Sequence, residues 1–287
     1  MSVSLPDFDS LWDFNQPEAT EKKFREFVPA AEASGDDSYH AELLTQIART
    51  QGLQRKFAEA HGTLDGVETL LRPEFSRAKI RCGLERGRVF NSSGDKPAAR
   101  PLFLEAWEEA VQAGEDFYAV DAAHMNAIVE PPEQQMAWNL KAVEIAEKSH
   151  DERARNWLGS LYNNIGWTYH DAGQYEQALA TFQKALAYRE QQGKADTIRI
   201  AKWCIGRTLR SLNRIDEALR IQRSLLAEPG ENPDGYVYEE LGECLLIQRS
   251  DDAKYYFALA YQALSQDSYL TENEPARLAR LKMLGGV

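Results

Sequence analysis

Trp203, Arg207 and Arg210 stand at i, i+4 and i+7, a spacing that lines them along one face of a helix. Two guanidiniums beside an indole offer planar donors to a carboxylate or phosphate, next to aromatic surface that excludes water. That is the chemistry of holding an anion. Bond-making chemistry has no comparable signal. The sequence contains no P-loop, H-E-x-x-H, G-x-S-x-G or dinucleotide glycine pattern. Its five histidines (His40, His61, His124, His150 and His170) show no i,i+4 pairing and read as solvated surface side chains rather than metal ligands. No catalytic residue, metal or cofactor is expected. A possible complement to the arginines lies near the N-terminus, where Asp7, Phe8, Asp9, Leu11, Trp12, Asp13 and Phe14 mix acids with large apolar side chains. Either Leu11, Trp12 and Phe14 staple the first helix, or this arm lies over a groove, its own or a neighbour's, as a placeholder.

The elements that position such residues must come from a chain able to fold. Of its 287 residues 43% are apolar, enough for a core and against global disorder. The net charge of −12 argues against nucleic acid as a partner, because phosphate binding needs a basic footprint. No apolar run approaches the roughly 18 residues of a membrane span, and the first residues lack the basic start and apolar stretch of a signal peptide. Cys82, Cys204 and Cys244 are scattered without C-x-x-C spacing and read as buried hydrophobes in a reducing, cytoplasmic setting.

Internal repetition organises the chain. Its clearest unit reads Tyr162-x-x-Ile165-Gly166-x-x-Tyr169, then Gly173, Tyr175, Ala178, Phe182 and Ala185. With Gly166 as origin, the register recurs at Ala48, Gly87, Ala127, Gly206 and Gly242, spaced 36 to 40 residues apart. Twelve, sixteen and nineteen residues after an origin come sets such as Ala60, Leu64, Val67, then Ala99, Phe103, Ala106, then Ala218, Gln222, Leu225. Ala253, Phe257 and Ala260 follow Gly242 with one residue removed from the turn. The third unit is poorest, with Asn139, Val143, Ala146 and Pro131-Pro132 at its turn. Breaker clusters at Asn91–Asp95, Asp171–Gln174 and Ser211–Arg214 separate two helices in each unit.

This pattern resembles the tetratricopeptide repeat family. The units exceed the family's common period of about 34 residues, as in kinesin light chain-like and some bacterial signalling members. The resemblance covers roughly residues 37–266. It implies an all-α, alpha-alpha superhelix (a solenoid) of about six hairpins, with repeats at 37–72, 74–113, 115–149, 152–192, 195–228 and 233–266. An arm (1–16) would precede a single solenoid domain (17–287), with a C-terminal cap at 271–285. Capping helices are expected because terminal hairpins otherwise expose apolar surface. One would start at Asn15-Gln16-Pro17-Glu18, with Asn15 as cap. The other would start at Thr271-Glu272-Asn273-Glu274, with Leu278, Leu281 and Met283 to bury. Pro229–Gly235 is the strongest internal break and a candidate hinge.

Family geometry also implies where a partner would bind. The first helix of each hairpin lines the concave face, with exposed positions three before, one after and four after the small residue. In the first five repeats these are Thr45, Arg49, Gly52; Leu84, Arg88, Asn91; His124, Ile128, Pro131; Asn163, Trp167, His170; and Trp203, Arg207, Arg210. These fifteen positions carry four arginines and no carboxylate, while Glu239 and Glu243 would bound the patch. The candidate site is therefore Arg49, Arg88, Asn91, His124, Asn163, Trp167, His170, Trp203, Arg207 and Arg210. Trp167 and Trp203 either pack between first helices or floor a groove. Asn163-Asn164 resembles the asparagine pairs of kinesin light chain-like repeats, although only one repeat carries it. The stripe has no lysine, so the basic clamp by which other members hold a chaperone's C-terminal carboxylate is not reproduced. The leading expectation is an adaptor binding an acidic or aromatic-acidic segment of another protein. A sensor for a small anionic ligand or signalling peptide is the second. A structural assembly subunit using its convex face is the third.

Overall fold

Glycine at the register position is a packing requirement. A Cβ on Gly87 would come within 2.5 Å of the Phe103 ring, on Gly166 within 2.5 Å of Phe182, and on Gly242 within 2.9 Å of Phe257. At Gly206 the obstacle is the side-chain amide of Gln222, at 2.5 Å. The partner residue comes fifteen or sixteen positions after each glycine, so each contact closes one antiparallel hairpin on itself. The third hairpin keeps the arrangement despite its poor pattern: Asn139, Val143 and Ala146 are all buried.

The computed structural model describes residues 5–228 and 234–287, so most of the candidate hinge at 229–235 lies outside the described residues. After a 3-10 turn at Phe8–Leu11 come α1 (Pro17–Ser34), α2 (Asp37–Leu53), α3 (Phe57–Leu70), α4 (Ser76–Ser92), α5 (Lys96–Ala113), α6 (Asp116–Val129), α7 (Pro132–Lys148) and the short α8 (Glu152–Arg155). There follow α9 (Leu158–Asp171), α10 (Tyr175–Gln192), α11 (Ala195–Ser211), α12 (Ile215–Ala227), α13 (Gly235–Ile247), α14 (Asp252–Leu264), α15 (Ser268–Asn273) and α16 (Pro275–Gly285). The six hairpins are α2/α3, α4/α5, α6/α7, α9/α10, α11/α12 and α13/α14, an all-α tetratricopeptide-type hairpin stack. The chain gathers into two compact units, residues 1–158 and 159–287. Among the described residues no helix is long and apolar enough to cross a membrane.

Five of the six hairpins turn in the same way. The residue seven positions after the register residue is left-handed: Arg55 (φ 60°), Gly94 (95°), Gly173 (73°), Asn213 (58°) and Arg249 (57°). The N–H of the next residue then reaches back to a carbonyl of the last helical turn, as from Asp95 to Phe90 (2.8 Å) and from Gln174 to Tyr169 (2.9 Å). The α6–α7 turn differs. Pro131 sits in extended backbone and Pro132 opens α7.

Both ends are capped, with three corrections. Helix α1 starts at Pro17 with Gln16, not Asn15, at its cap position and no side-chain cap bond. It packs on α2 and buries Phe24 against Leu43 and Ile47. Helix α16 packs on α14 so closely that a Cβ on Gly285 would meet the Ala258 backbone at 2.7 Å. It starts at Pro275, because Thr271–Asn273 belong to α15. Leu278 and Leu281 are buried as expected, but Met283 is 71% exposed. Arg277 and Arg280 pair with Glu239 and Glu243. Those two acids thus fasten the cap to α13. The three cysteines are buried, and burial pushes each thiol up to about 12, which leaves them inert near neutrality.

Candidate functional site

In the first unit, arginines and acids alternate on the first-helix faces of α2, α4 and α6. Arg88 donates from Nη1 to Glu85 (2.6 Å) and from Nη2 to both oxygens of Asp121. Arg49 donates from Nη1 to the same Glu85 oxygen, at 3.0 Å. Burial alone would lower Arg88, but Asp121 and Glu85 outweigh it and hold the guanidinium firmly protonated. Two arginines expected to await an external anion therefore already share internal ones. Thr45 and Leu84, expected on the exposed stripe, are fully buried. Asn91 remains at the partly buried end of α4. His124 is not solvated: its ring packs against Trp157 at 5.1 Å, and burial holds it below the ordinary imidazole range.

The centre of this face is Arg81, a residue outside the expected stripe and only 3% exposed. Its Nη1 and Nη2 donate to the two oxygens of Asp9, at 2.8 and 2.6 Å. Nη1 also reaches the Tyr118 hydroxyl (2.8 Å) and Glu42 (3.3 Å). Burial works against the charge, and the bonds to Asp9 more than restore it. Burial likewise pushes the Tyr118 hydroxyl up to about 12, so it stays neutral.

Asp9 belongs to the N-terminal arm, and both expectations for the arm describe part of what is seen. Its apolar residues do pack on the fold. Phe8 is buried against Phe24 and Tyr39, with ring centroids 6.2 and 5.1 Å away. Trp12 donates its indole N–H to Gln46 (3.0 Å), and Phe14 stacks on Trp12 at 4.6 Å. The arm also lies over the first-helix face of its own unit, where the Arg49 guanidinium stands over Trp12 and Phe14 at 5.8 and 5.3 Å.

In the second unit the two indoles meet as expected, with Trp167 and Trp203 centroids 6.0 Å apart. Both are half-buried. Trp167 packs on Phe182 (5.3 Å), and Trp203 donates its N–H to the Tyr236 carbonyl (3.1 Å). Asn163 accepts from the Cys204 thiol at 3.5 Å. His170 lies 2.9 Å from the Ser211 hydroxyl, and burial lowers its pKa, so it too is no solvated side chain. Arg207 and Arg210 both close on Glu240. Arg207 donates from Nη1 (2.7 Å), and Arg210 donates from Nε and Nη2 (2.7 and 2.9 Å). Glu240 is 2% exposed.

The residues that sequence reasoning missed share a position. Glu85 and Glu240 stand two before a register residue; Arg81 and Asp121 stand six before. The offset of six continues the same helical face one turn earlier, and the offset of two lies beside that face, between Leu84 and Arg88 in α4, so a longer and wider stripe reveals them. Among the described residues no group of three or more His, Cys, Asp or Glu is placed to hold a metal ion.

Comparison with known proteins matches residues 137–191 to a tetratricopeptide repeat family model. No curated protein matches the sequence. Among solved structures, the apo form of RapI is similar at 14% identity and a TM-score of 0.74, over 95% of this chain and 76% of that one. A signal transduction ATPase with numerous domains from Pyrococcus horikoshii, which has a tetratricopeptide repeat sensor, aligns at 13% identity and a TM-score of 0.73. That match covers 93% of this chain but only 42% of the ATPase. The apo quorum sensor NprR from B. thuringiensis aligns at 16% identity and a TM-score of 0.66, over 96% of this chain and 79% of that one. NprR in complex with its cognate peptide NprX aligns at 16% identity and a TM-score of 0.52, over 93% and 78%. At such identities the likeness shows the fold.

Proposed function

We propose that this chain, which matches the tetratricopeptide repeat model at residues 137–191 and has an all-α hairpin fold throughout, is an adaptor binding an acidic, aromatic-containing segment of another protein. The first-helix face of the first unit receives that segment. One observation carries the reading: the chain's own Asp9 is held by Arg81 there, with Trp12 and Phe14 beside it against Arg49. A buried guanidinium needs an anion. The arm supplies one from outside the repeats, and a partner presenting a carboxylate between aromatic residues would supply the same. Support also comes from the fold: NprR, which shares it, holds a cognate peptide. The second unit offers less to an anion, because Glu240 already satisfies Arg207 and Arg210. Binding rather than bond-making is the chemistry of this face.

A labelled peptide with the sequence of residues 5–16 tests the reading. The tethered arm competes at an effective concentration of roughly millimolar, so the full chain should bind the peptide weakly. Asp9→Ala should loosen the arm and tighten peptide binding about tenfold, with an affinity that falls as salt rises. No gain in affinity from Asp9→Ala, in a variant with an unchanged helical spectrum, would overturn the proposal.

A further inference from the structure

Two segments outside the repeat pattern converge on one face. The arm covers it from one side, and the stretch around α8, ending in Trp157, covers it from the other. Between them they close a pocket of about 370 Å³. That is near the low end for small-ligand sites, roughly the size of an amino acid or dipeptide. Trp12 and Phe14 of the arm, together with Phe117 and Trp157, supply its aromatic lining, and Glu85 and Arg49 are part of its charged lining. A repeat stack has no need of such an enclosure to be stable, since its hairpins bury their surface against one another.

The polar groups define the occupant. Glu85 is 3% exposed, and its Oε1 accepts from Arg49 and Arg88. Its Oε2 is buried without a hydrogen-bond partner. Carboxylate oxygens in that situation are normally satisfied, and an ammonium group would satisfy this one. Arg49, a quarter exposed at its side chain, stands over the Phe14 ring and has donors beyond the one that Glu85 takes. We propose that the pocket binds an aromatic α-amino acid, free or as a peptide's terminal residue. Its ring lies against the aromatic lining, its amino group meets Glu85 and its carboxylate meets Arg49. This requires the arm in place, so a partner that displaces the arm would compete with the amino acid.

The test uses the full chain with three probes: L-phenylalanine, Phe-Gly-Gly and Gly-Gly-Phe. Calorimetry and the emission of the wall tryptophans give the readout. Saturable binding of at least one probe is expected, and Phe14→Ala and Glu85→Gln should each weaken it about tenfold. Phe14 is 57% exposed, so Phe14→Ala should leave the melting temperature unchanged, and unchanged cleavage of residues 5–16 in limited proteolysis would show that the arm stays in place. Binding of the free amino acid marks a small-molecule site; binding of a tripeptide alone marks a peptide end. The proposal is overturned if no probe saturates, if both variants bind as the parent does, or if N-acetyl-phenylalaninamide binds as well as L-phenylalanine.

Discussion

Both units place arginines on the same helical face, and they answer those charges differently. In the second unit, Arg207 and Arg210 close on Glu240, a buried residue fixed within α13. In the first, Arg49 and Arg88 do likewise on Glu85 and Asp121, but Arg81 closes on Asp9, which sits on a single 3-10 turn outside the repeats. A basic stripe becomes a binding site only where its counter-charge can leave. Glu240 cannot leave without unpacking α13. Asp9 can, and Arg81 would still keep Glu42 and the Tyr118 hydroxyl.

The largest effect should come from breaking the fixed pair. Arg210→Ala leaves Glu240 buried with only Arg207, and should cost about 3 kcal/mol of stability in urea denaturation. A loss below about 1 kcal/mol would show Glu240 to be as dispensable as a surface acid, and the contrast between the units would collapse. A smaller effect is expected at the displaceable pair. Asp9 is 40% exposed at its side chain, so Asp9→Asn should cost only about 1 kcal/mol while residues 5–16 become cleaved faster in limited proteolysis. Unchanged cleavage would mean that the aromatics alone hold the arm. The smallest effect is a control that should not distinguish the units. Arg55 and Arg249 occupy the same left-handed turn position in the first and last hairpins. Arg55→Gly and Arg249→Gly should each stabilise by at most about 1 kcal/mol, and equally. Unequal melting shifts would trace the contrast to the scaffold rather than to its charges.

The proposed sites were only partly legible beforehand. The pairing of Trp167 with Trp203 follows from the register, because each is placed by the small residue of its own first helix, Gly166 and Gly206. The arm's mixture of acids and aromatics was also readable, and it packs on the first unit through Phe8 and pairs there through Asp9. The expectation of free arginines failed because the stripe left out the position two before the register residue, where Glu85 and Glu240 stand, and the position six before it, where Asp121 stands. Solvated histidines failed for a related reason. His124 faces Trp157, which lies between α8 and α9 rather than on a helix of a hairpin.

Sequence alone determined the hairpins, their register and, in three of them, the glycine that seats the partner ring. Each depends on a contact between residues fewer than twenty positions apart in one chain segment, so a fixed offset carries the information. Tertiary structure alone decided which charges were already spent. Arg88 and Asp121 are 33 residues apart, Arg210 and Glu240 30, and Arg81 and Asp9 72. No repeat offset predicts all three. A long guanidinium chain can reach several acids on adjoining helices or on the arm, and packing selects among them by burying one and leaving another displaceable.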